Sequence, residues 1–477
     1  MKTIMMTGVT GNMGKESLKE LLKDENLTMR LLVRPSKKNK QMFKAYADHP
    51  RIKVIWGDMM NYEDVCEAVH GSDYVFHLGG MVSPLSDYYP EKTLKVNVTS
   101  AQYLVDAVLA QENKDDIKVV YIGSVAEYGD RSTPRHWGRA GDPMLSSAFD
   151  AYSKSKCLSE KIFIDSGIKN WVVLRQSGIL HPGILGLINP IVFHVPMGGV
   201  LEWATVEDSA RLIHNVTEDD VPSEFWNRVY NISSGEDYRL SNYEFQAKMY
   251  KVLGLPSIEK VYEPQWFALK NFHGMWYEDA DVLENYLHFR HNVPVDEYFK
   301  NLKSRLPWYY NLAFLAPACL IKTFIKKYAF EEGLGTQSWV GHDEAKMNVY
   351  YGSEKAYHAI RSWDDIRPGF MEKNHEKAIA DGSDRCLDHG YDESKSIYSL
   401  SLAEVEAAAA FRGGKFLGSE ASLGTPGVIY EWECEHGHRF KASLEYVLLA
   451  GGWCTECGFD PSVNNVTSLN KFTSQIL

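Results

Sequence analysis

The sequence predicts an α/β protein: a doubly wound parallel sheet, a smaller substrate-binding region and a Cys/His module towards the C-terminal end. Three observations predict it. Apolar runs alternate with helix-like stretches through the first half of the chain. Those runs are continuous, as expected for strands buried on both faces. The third is residues 7–14, TGVTGNMG, directly after the apolar run Ile4-Met5-Met6.

The elements follow in order. KTIMMTG is a strand, and Gly14 to Leu22 has helical composition. TMRLLVRP, KVIWGDM and DYVFHLGG supply three more strands. Leu94–Ala110 reads as a helix, KVVYIGSV and WVVLRQSGIL as strands, and VYNISSG at 229–235 as one more. Such alternation argues for a parallel sheet with helices on both sides.

After Pro182 the pattern loosens. Residues 262–370 are rich in Trp, Tyr and Phe without a readable motif, and residues 381–396, DGSDRCLDHGYDESKS, read as a linker. A helix-like segment, SLAEVEAAAAFRGG, then leads into the Cys/His cluster. The expected organisation is a dinucleotide-binding domain at 1–260, an accessory or substrate-covering region at 261–380 and a Cys/His module at 397–477.

A chain of 477 residues exceeds what one core usually fills, so two or three domains are expected. The apolar content of 44% and charged content of 24% are ordinary for a soluble globular protein. The net charge of −12 argues against general binding of nucleic-acid backbones. The N-terminus reads as a strand and not as a secretory signal. Seven cysteines, three of them clustered near the end, suggest metal ligation in a reducing compartment, so a cytoplasmic location is expected. The segment Leu312–Ile321, LAFLAPACLI, is too short to span a membrane and contains Pro317. It reads first as a partly buried helix or a cover over a pocket. Peripheral membrane contact over 312–327, next to Lys322, Lys326 and Lys327, is the alternative.

A strand, then glycines, then a helix is the layout of a dinucleotide-binding turn. The glycines permit a tight turn, close approach of backbone N–H groups to a pyrophosphate, and close packing of helix on strand. The second strand ends at Val33-Arg34. An acidic residue there would accept hydrogen bonds from the ribose of NAD. Arg34 instead suits a 2′-phosphate, with Lys37 and Lys38 following, so NADP is the expected cofactor and NAD the alternative.

The spacing G-x-x-G-x-x-G behind Thr7 resembles the extended short-chain dehydrogenase/reductase family. Further stretches fit that family in order: Gly57-Asp58, Leu78-Gly79-Gly80, Val96-Asn97-Val98 and YSKSK at 152–156. The resemblance covers about residues 1–250 and implies a Rossmann-type fold, a homodimer and a cofactor held by Thr7, Gly8, Gly11, Asn12, Met13, Gly14, Arg34, Asp58, Leu78, Gly79, Tyr152 and Lys156. It also implies an aspartate, here Asp58, against adenine.

Tyr152 and Lys156 stand four apart, on one face of a helix. An ammonium beside a phenol favours the phenolate, so Lys156 is expected to lower the pKa of Tyr152. Tyr152 would then exchange a proton with the substrate oxygen while hydride moves to or from the cofactor. In IGSVAEYG, residues 122–129, the resemblance places the orienting hydroxyl on Ser124, and it gives Asn97 a supporting role. The Asp-Glu pair of sugar-nucleotide 4,6-dehydratases is replaced by Val125 and Ala126, which excludes that elimination. In LRQSGILHPG, His181 replaces the family's Tyr. No Lys or Arg occurs from Gly183 to Glu207, where a nucleotide-sugar diphosphate would meet a cation, although Lys303 or Arg305 could serve it. Asp208 reads as structural. A small or apolar carbonyl or alcohol is therefore the expected substrate, with Trp266, Trp276, Trp308 and Tyr309 available to cover it or to fill core. A nucleotide-sugar epimerase and a dinucleotide-sensing scaffold are the alternatives.

WECEHGHRF at 432–440 and GWCTECG at 452–458 bring Cys434, His438, Cys454 and Cys457 to the spacing of a tetrahedral zinc site, with His436 the rival fourth ligand. The text resembles bacterial zinc ribbons. Four ligands leave no open position, so the metal is expected to be structural. A C-x-x-C redox pair is the competing reading.

Overall fold

The computed structural model describes residues 1–131, 136–186, 188–382 and 386–457. Seven strands form one parallel sheet: β1 (Lys2–Thr7), β2 (Leu27–Val33), β3 (Ile52–Trp56), β4 (Tyr74–His77), β5 (Lys118–Ser124), β6 (Asn170–Gln176) and β7 (Arg228–Ile232). Their order is β7-β6-β5-β4-β1-β2-β3. The direction of winding reverses between β1 and β4, whose C-terminal ends, at Thr7 and His77, are in register. A ligand crevice is expected outside the strand ends at such a reversal.

The continuous apolar runs have partners on both faces. Ile4 and Met6 pack into one core with α1 (Asn12–Leu21), while Met5 packs into the other with α2 (Tyr62–Val69), α3 (Pro90–Leu109) and α4 (Ala151–Ile164). Asp150 caps α4 by accepting from the Ser153 N–H at 2.9 Å, and the Ser153 hydroxyl donates to the Ala126 carbonyl at 2.7 Å. The helix is thus pinned to the end of β5.

Two expected boundaries do not divide the structure. A second core runs from Ala148 to Ile366 and joins Phe193, Tyr238 and Tyr250 to Trp266, Trp339 and Tyr351. Residues beyond 260 complete a core begun before them, so 261–380 is not a separate unit. The C-terminal module, a three-stranded antiparallel sheet of β8 (Lys415–Phe416), β9 (Ile429–Glu433) and β10 (Arg439–Ser443), does not hang free either. Trp432, Tyr446 and Val447 share a core with Cys157, Phe163 and Ile164 of α4. The Lys161 ammonium donates to the Lys441 carbonyl at 2.8 Å, and Asp165 accepts from the Ser443 hydroxyl at 2.6 Å. Residues 458–477 of the expected module lie outside the described residues. The expected linker is a strap: His389 is buried and bonds Asp142 at 3.0 Å, and Arg139 pairs with Glu393 at 2.6 Å.

The aromatic residues divide sharply. Trp266 and Trp276 are core, whereas Trp308 and Tyr309 are exposed. Along the 3₁₀ turns Trp308–Leu315 and the helix α5 (Ala318–Ala329), Tyr310, Ala318 and Ile321 pack partly buried against the second core while Leu312, Phe314, Leu315 and Leu320 are exposed, so 312–321 is a partly buried segment with most of its large side chains outward. No helix of the described residues is long and apolar enough to cross a membrane.

Candidate active site

The glycine turn sorts its three glycines by need. Gly8 has φ +73°, and a Cβ there would meet the backbone of Leu78 and Gly79 at 2.6 Å. A Cβ on Gly14 would lie 2.3 Å from the Gly8 carbonyl oxygen. These two glycines are required by the fold. Gly11 is different: its φ is −75°, and the nearest contact of a Cβ is 3.3 Å from the Gly8 oxygen. The fold presses less hard there, and close approach of a ligand is a further reason for the missing side chain. Gly11 also begins α1, whose first turn has no side-chain cap and no acidic residue. Its open N–H groups and positive dipole end suit an anion.

A cleft of about 490 Å³ opens above this turn. Thr7, Gly8, Gly11, Asn12, Met13, Gly14, Arg34, Leu78, Gly79, Ser124, Tyr152 and Lys156 all line it. Asp58 does not. Its carboxylate accepts from the Met60 N–H at 3.0 Å, and its neighbours Gly57 and Met59 line the cleft in its place. Thr7 braces the crevice, accepting from the Gly79 N–H at 3.0 Å and bonding His77 at 2.9 Å. Arg34 is exposed at the rim, and among the described residues its guanidinium forms no ion pair. Both amide atoms of Gln176, buried in the lining, find no partner among the described residues. Orphaned polar groups, a bare glycine and an uncapped helix end together fit a phosphate-bearing, hydrogen-bonding cofactor.

The chemical groups meet at the end of β5. Ser124 caps the following 3₁₀ turn, its hydroxyl accepting from the Ala126 N–H at 3.2 Å, and it is also hydrogen-bonded to the Tyr152 phenol. Burial holds that phenol above its ordinary range, with the Ser124 bond working the other way. The expected lowering by Lys156 is not the outcome for the protein alone. The Lys156 ammonium donates to the Ile122 carbonyl at 2.6 Å, and burial lowers its own pKa to about 8. Asn97 does support the helix: its amide donates to the Ser155 hydroxyl at 2.8 Å and to the Met81 carbonyl at 3.0 Å. Asp208 is structural, accepting from the His291 N–H at 2.9 Å and from Ser234.

Glu127 follows the two apolar residues at the dehydratase positions, and it is turned inward. It accepts from the Ser124 N–H at 2.7 Å and pairs with buried Arg175 at 3.2 Å. Arg175 also bonds Glu160 and donates to the Ala450 carbonyl of the C-terminal module at 2.6 Å. The Ser-x-x-Glu capping box at 124–127 was readable in the sequence and signals this role.

Beside the cleft lies a cavity of about 330 Å³, which shares Ser83, Gly178, Ile179, Leu201 and His273 with it. Ile184, Ile188, Val192, Trp203, Phe245 and Met249 line it, and among the described residues no Lys, Arg, Asp or Glu does. Trp203 stacks on Phe245 at 4.3 Å. These residues carry no local motif, so sequence reasoning missed them. Arg305 faces another cavity and is paired with Glu207.

Cys434, His438, Cys454 and Cys457 bring one donor atom each to within 4.8 Å of the others. His438 Nδ1 reaches Cys457 at 3.2 Å and Cys454 at 3.7 Å, while His436 reaches Cys457 alone, at 3.3 Å. His438 is thus the better placed histidine, and the set could hold a tetrahedral metal. Glu278, His375 and Cys386 also converge. There the Cys386 thiol donates to Glu278 at 2.8 Å and Arg139 pairs with the same carboxylate at 3.3 Å, so hydrogen bonding already accounts for the cluster.

Residues 4–175 match the NAD dependent epimerase/dehydratase family. UDP-glucose 4-epimerase of Rickettsia massiliae is 33% identical over 128 residues, 26% of this chain and 36% of that protein. The Rickettsia canadensis enzyme of the same name is 34% identical over 113 residues, 23% of this chain and 33% of that protein. The chain thus spans about a third of the length of the curated relatives it matches. Among solved structures, dTDP-glucose 4,6-dehydratase DesIV of Streptomyces venezuelae, with NAD bound, superposes with a TM-score of 0.51 at 18% identity, over 65% of this chain and 97% of that one. The NAD⁺ complex of Bordetella bronchiseptica WbmH gives 0.50 at 19% identity, over 66% and 100%. At these identities the likeness is one of fold. The matched sequence segment, residues 4–175, is thus similar to the NAD dependent epimerase/dehydratase family.

Proposed function

We propose that the protein is an NAD(P)-dependent oxidoreductase that interconverts a carbonyl and an alcohol on a small or apolar substrate. The observation that carries the substrate class is the adjoining cavity, whose lining among the described residues has no Lys, Arg, Asp or Glu. A diphosphate would find no cation there, whereas an apolar body would be well covered.

The glycine turn and the first turn of α1 would hold the cofactor's pyrophosphate, Arg34 the 2′-phosphate of NADP, and Gln176 a polar group near the ring. Bound nicotinamide supplies or accepts the hydride. Ser124 and Tyr152, bonded to each other, orient the substrate oxygen, and Tyr152 gives or takes the proton there. Burial raises the phenol's pKa, so Tyr152 is protonated at neutral pH and can donate to a carbonyl oxygen. Lys156 holds the end of β5 through Ile122 and keeps a positive charge at the cleft.

The test is a panel of apolar aldehydes and ketones and of nucleotide sugars, run against NADPH and NADH. Stoichiometric loss of NADPH with an apolar carbonyl is expected. Turnover of a nucleotide sugar with no net change in nicotinamide absorbance would favour the second reading, an epimerase, which the named relatives support. A sensing scaffold would keep its biological output in Tyr152→Phe. The Cys/His set is read as a structural zinc site, and purified protein should carry zinc by elemental analysis. Protein without zinc that shows a reversible Cys454–Cys457 disulfide would favour the redox reading.

A further inference from the structure

Residues 308–330, WYYNLAFLAPACLIKTFIKKYAF, contain neither Asp nor Glu, in a chain of net charge −12. The turns Trp308–Leu315 bury no side chain, and α5 buries only Ile325 and Ala329. Eight large apolar side chains of this stretch are exposed, among them Trp308 (74%), Leu315 (64%), Leu320 (64%) and Phe324. Scattered apolar side chains are normal on a surface; a run of this density marks a contact.

We propose that this surface seats the protein on an anionic lipid bilayer. Its polar edge is basic. The Lys327 ammonium lies 4.0 Å from the centroid of the Phe324 ring and the Lys326 ammonium 5.0 Å from that of Phe330, so both charges sit against exposed aromatic rings of the patch. Trp308 and Tyr309 are the amphipathic rings favoured at a headgroup boundary. Charge decides against a second copy of the chain as the occupant. A two-fold contact brings each patch against itself, and here it would set Lys326 and Lys327 against their own copies, while the nearby carboxylates Glu263 and Glu331 are already engaged by Lys322 and Tyr88. A negatively charged lipid surface complements the same lysines. The same segment also touches the loop that lines the apolar cavity. The Tyr310 hydroxyl stands where a Cβ on Gly186 would lie, 2.4 Å away, and Ile184 and Ile188 of that loop line the cavity. A substrate dissolved in the bilayer would reach the cavity through this wall. That last step rests on the oxidoreductase reading; the seating itself does not.

The test is flotation of the purified full chain, without cofactor, on vesicles of phosphatidylcholine and of phosphatidylcholine mixed with phosphatidylglycerol. Wild type should float with the mixed vesicles and less with the neutral ones. K326Q/K327Q should lower partitioning about thirtyfold, added salt should weaken it, and W308S/L315S/L320S should abolish it. All three apolar sites are exposed, so an unchanged thermal midpoint will confirm that the variants fold. The proposal is overturned if wild type floats with neither vesicle, or if both variants float as wild type does. A dimer in sedimentation that W308S/L315S/L320S dissolves would assign the face to a second copy. NADPH oxidation with a water-soluble carbonyl keeps the two readings apart. Turnover without flotation sinks the membrane proposal alone, and flotation without turnover sinks the oxidoreductase reading alone.

Discussion

Strand β5 and the 308–330 segment are both apolar runs, and they meet opposite fates. Val119 to Ile122 are buried between β4 and β6, with helices above and below. The 308–330 stretch touches the protein through a few side chains, such as Ile325 and Ala329, and turns the rest outward. Burial in the strand does more than stabilise it. It delivers Ser124 to the one point where β5, α4 and the glycine turn converge, and it sets the proton affinity of the phenol beside it. In the segment the apolar surface is itself the exposed feature. Composition is shared; what covers the side chain decides whether it holds a site or forms one.

This contrast can be broken or sharpened. The largest effect is expected at the strand's end: Tyr152→Phe should lower kcat/KM by about 10²- to 10⁴-fold with an unchanged thermal midpoint, and steady-state rates that survive would remove the sheet end from the chemistry. Next come two phenylalanines. Phe163, fully buried and stacked on Tyr121 at 4.6 Å, should cost about 3–5 kcal/mol on change to alanine. Phe324→Ala should stay within roughly 0.5 kcal/mol. Denaturant midpoints that move equally would erase the comparison. A smaller shift is expected for Arg34→Asp, which should invert the preference for NADPH over NADH by about ten- to a hundredfold; KM values showing NADH preferred in wild type would refute the NADP assignment. A last test is a pH effect. Burial lowers His77 to about 3 and His136 and His194 to about 4. The unfolded chain binds protons at these histidines near about pH 6.5, so it holds more protons than the folded state below that pH. Stability should therefore fall as pH drops from about 6.5 towards 4. Thermal midpoints that rise on acidification would contradict the burial of these rings.

Much of the site was legible because its parts are local. The glycine spacing, the Tyr-Lys pair at one helical turn and the C-x-x-C knuckle each work through residues close in sequence. Ser124 was legible only through the family resemblance of IGSVAEYG; its cap with Glu127, within one turn, went unread. Asp58 stands at the strand end as expected but outside the cleft lining, with one carboxylate oxygen accepting from Met60 N–H, a choice of rotamer that spacing does not carry. The direction of the Tyr152 shift was misjudged because the Lys156 ammonium is engaged by a backbone carbonyl and desolvation dominates.

By itself the sequence determined the order of strands and helices, the turn at residues 7–14 and the identity of the groups at the cleft. Backbone conformation and neighbouring-residue chemistry are settled within a few positions of the chain. Tertiary structure alone decided that Trp203 meets Phe245 in an apolar cavity, that the C-terminal module packs on the helix of Tyr152, and that residues 308–330 face outward. Burial depends on which distant surface arrives to exclude water, and no short stretch encodes its own cover.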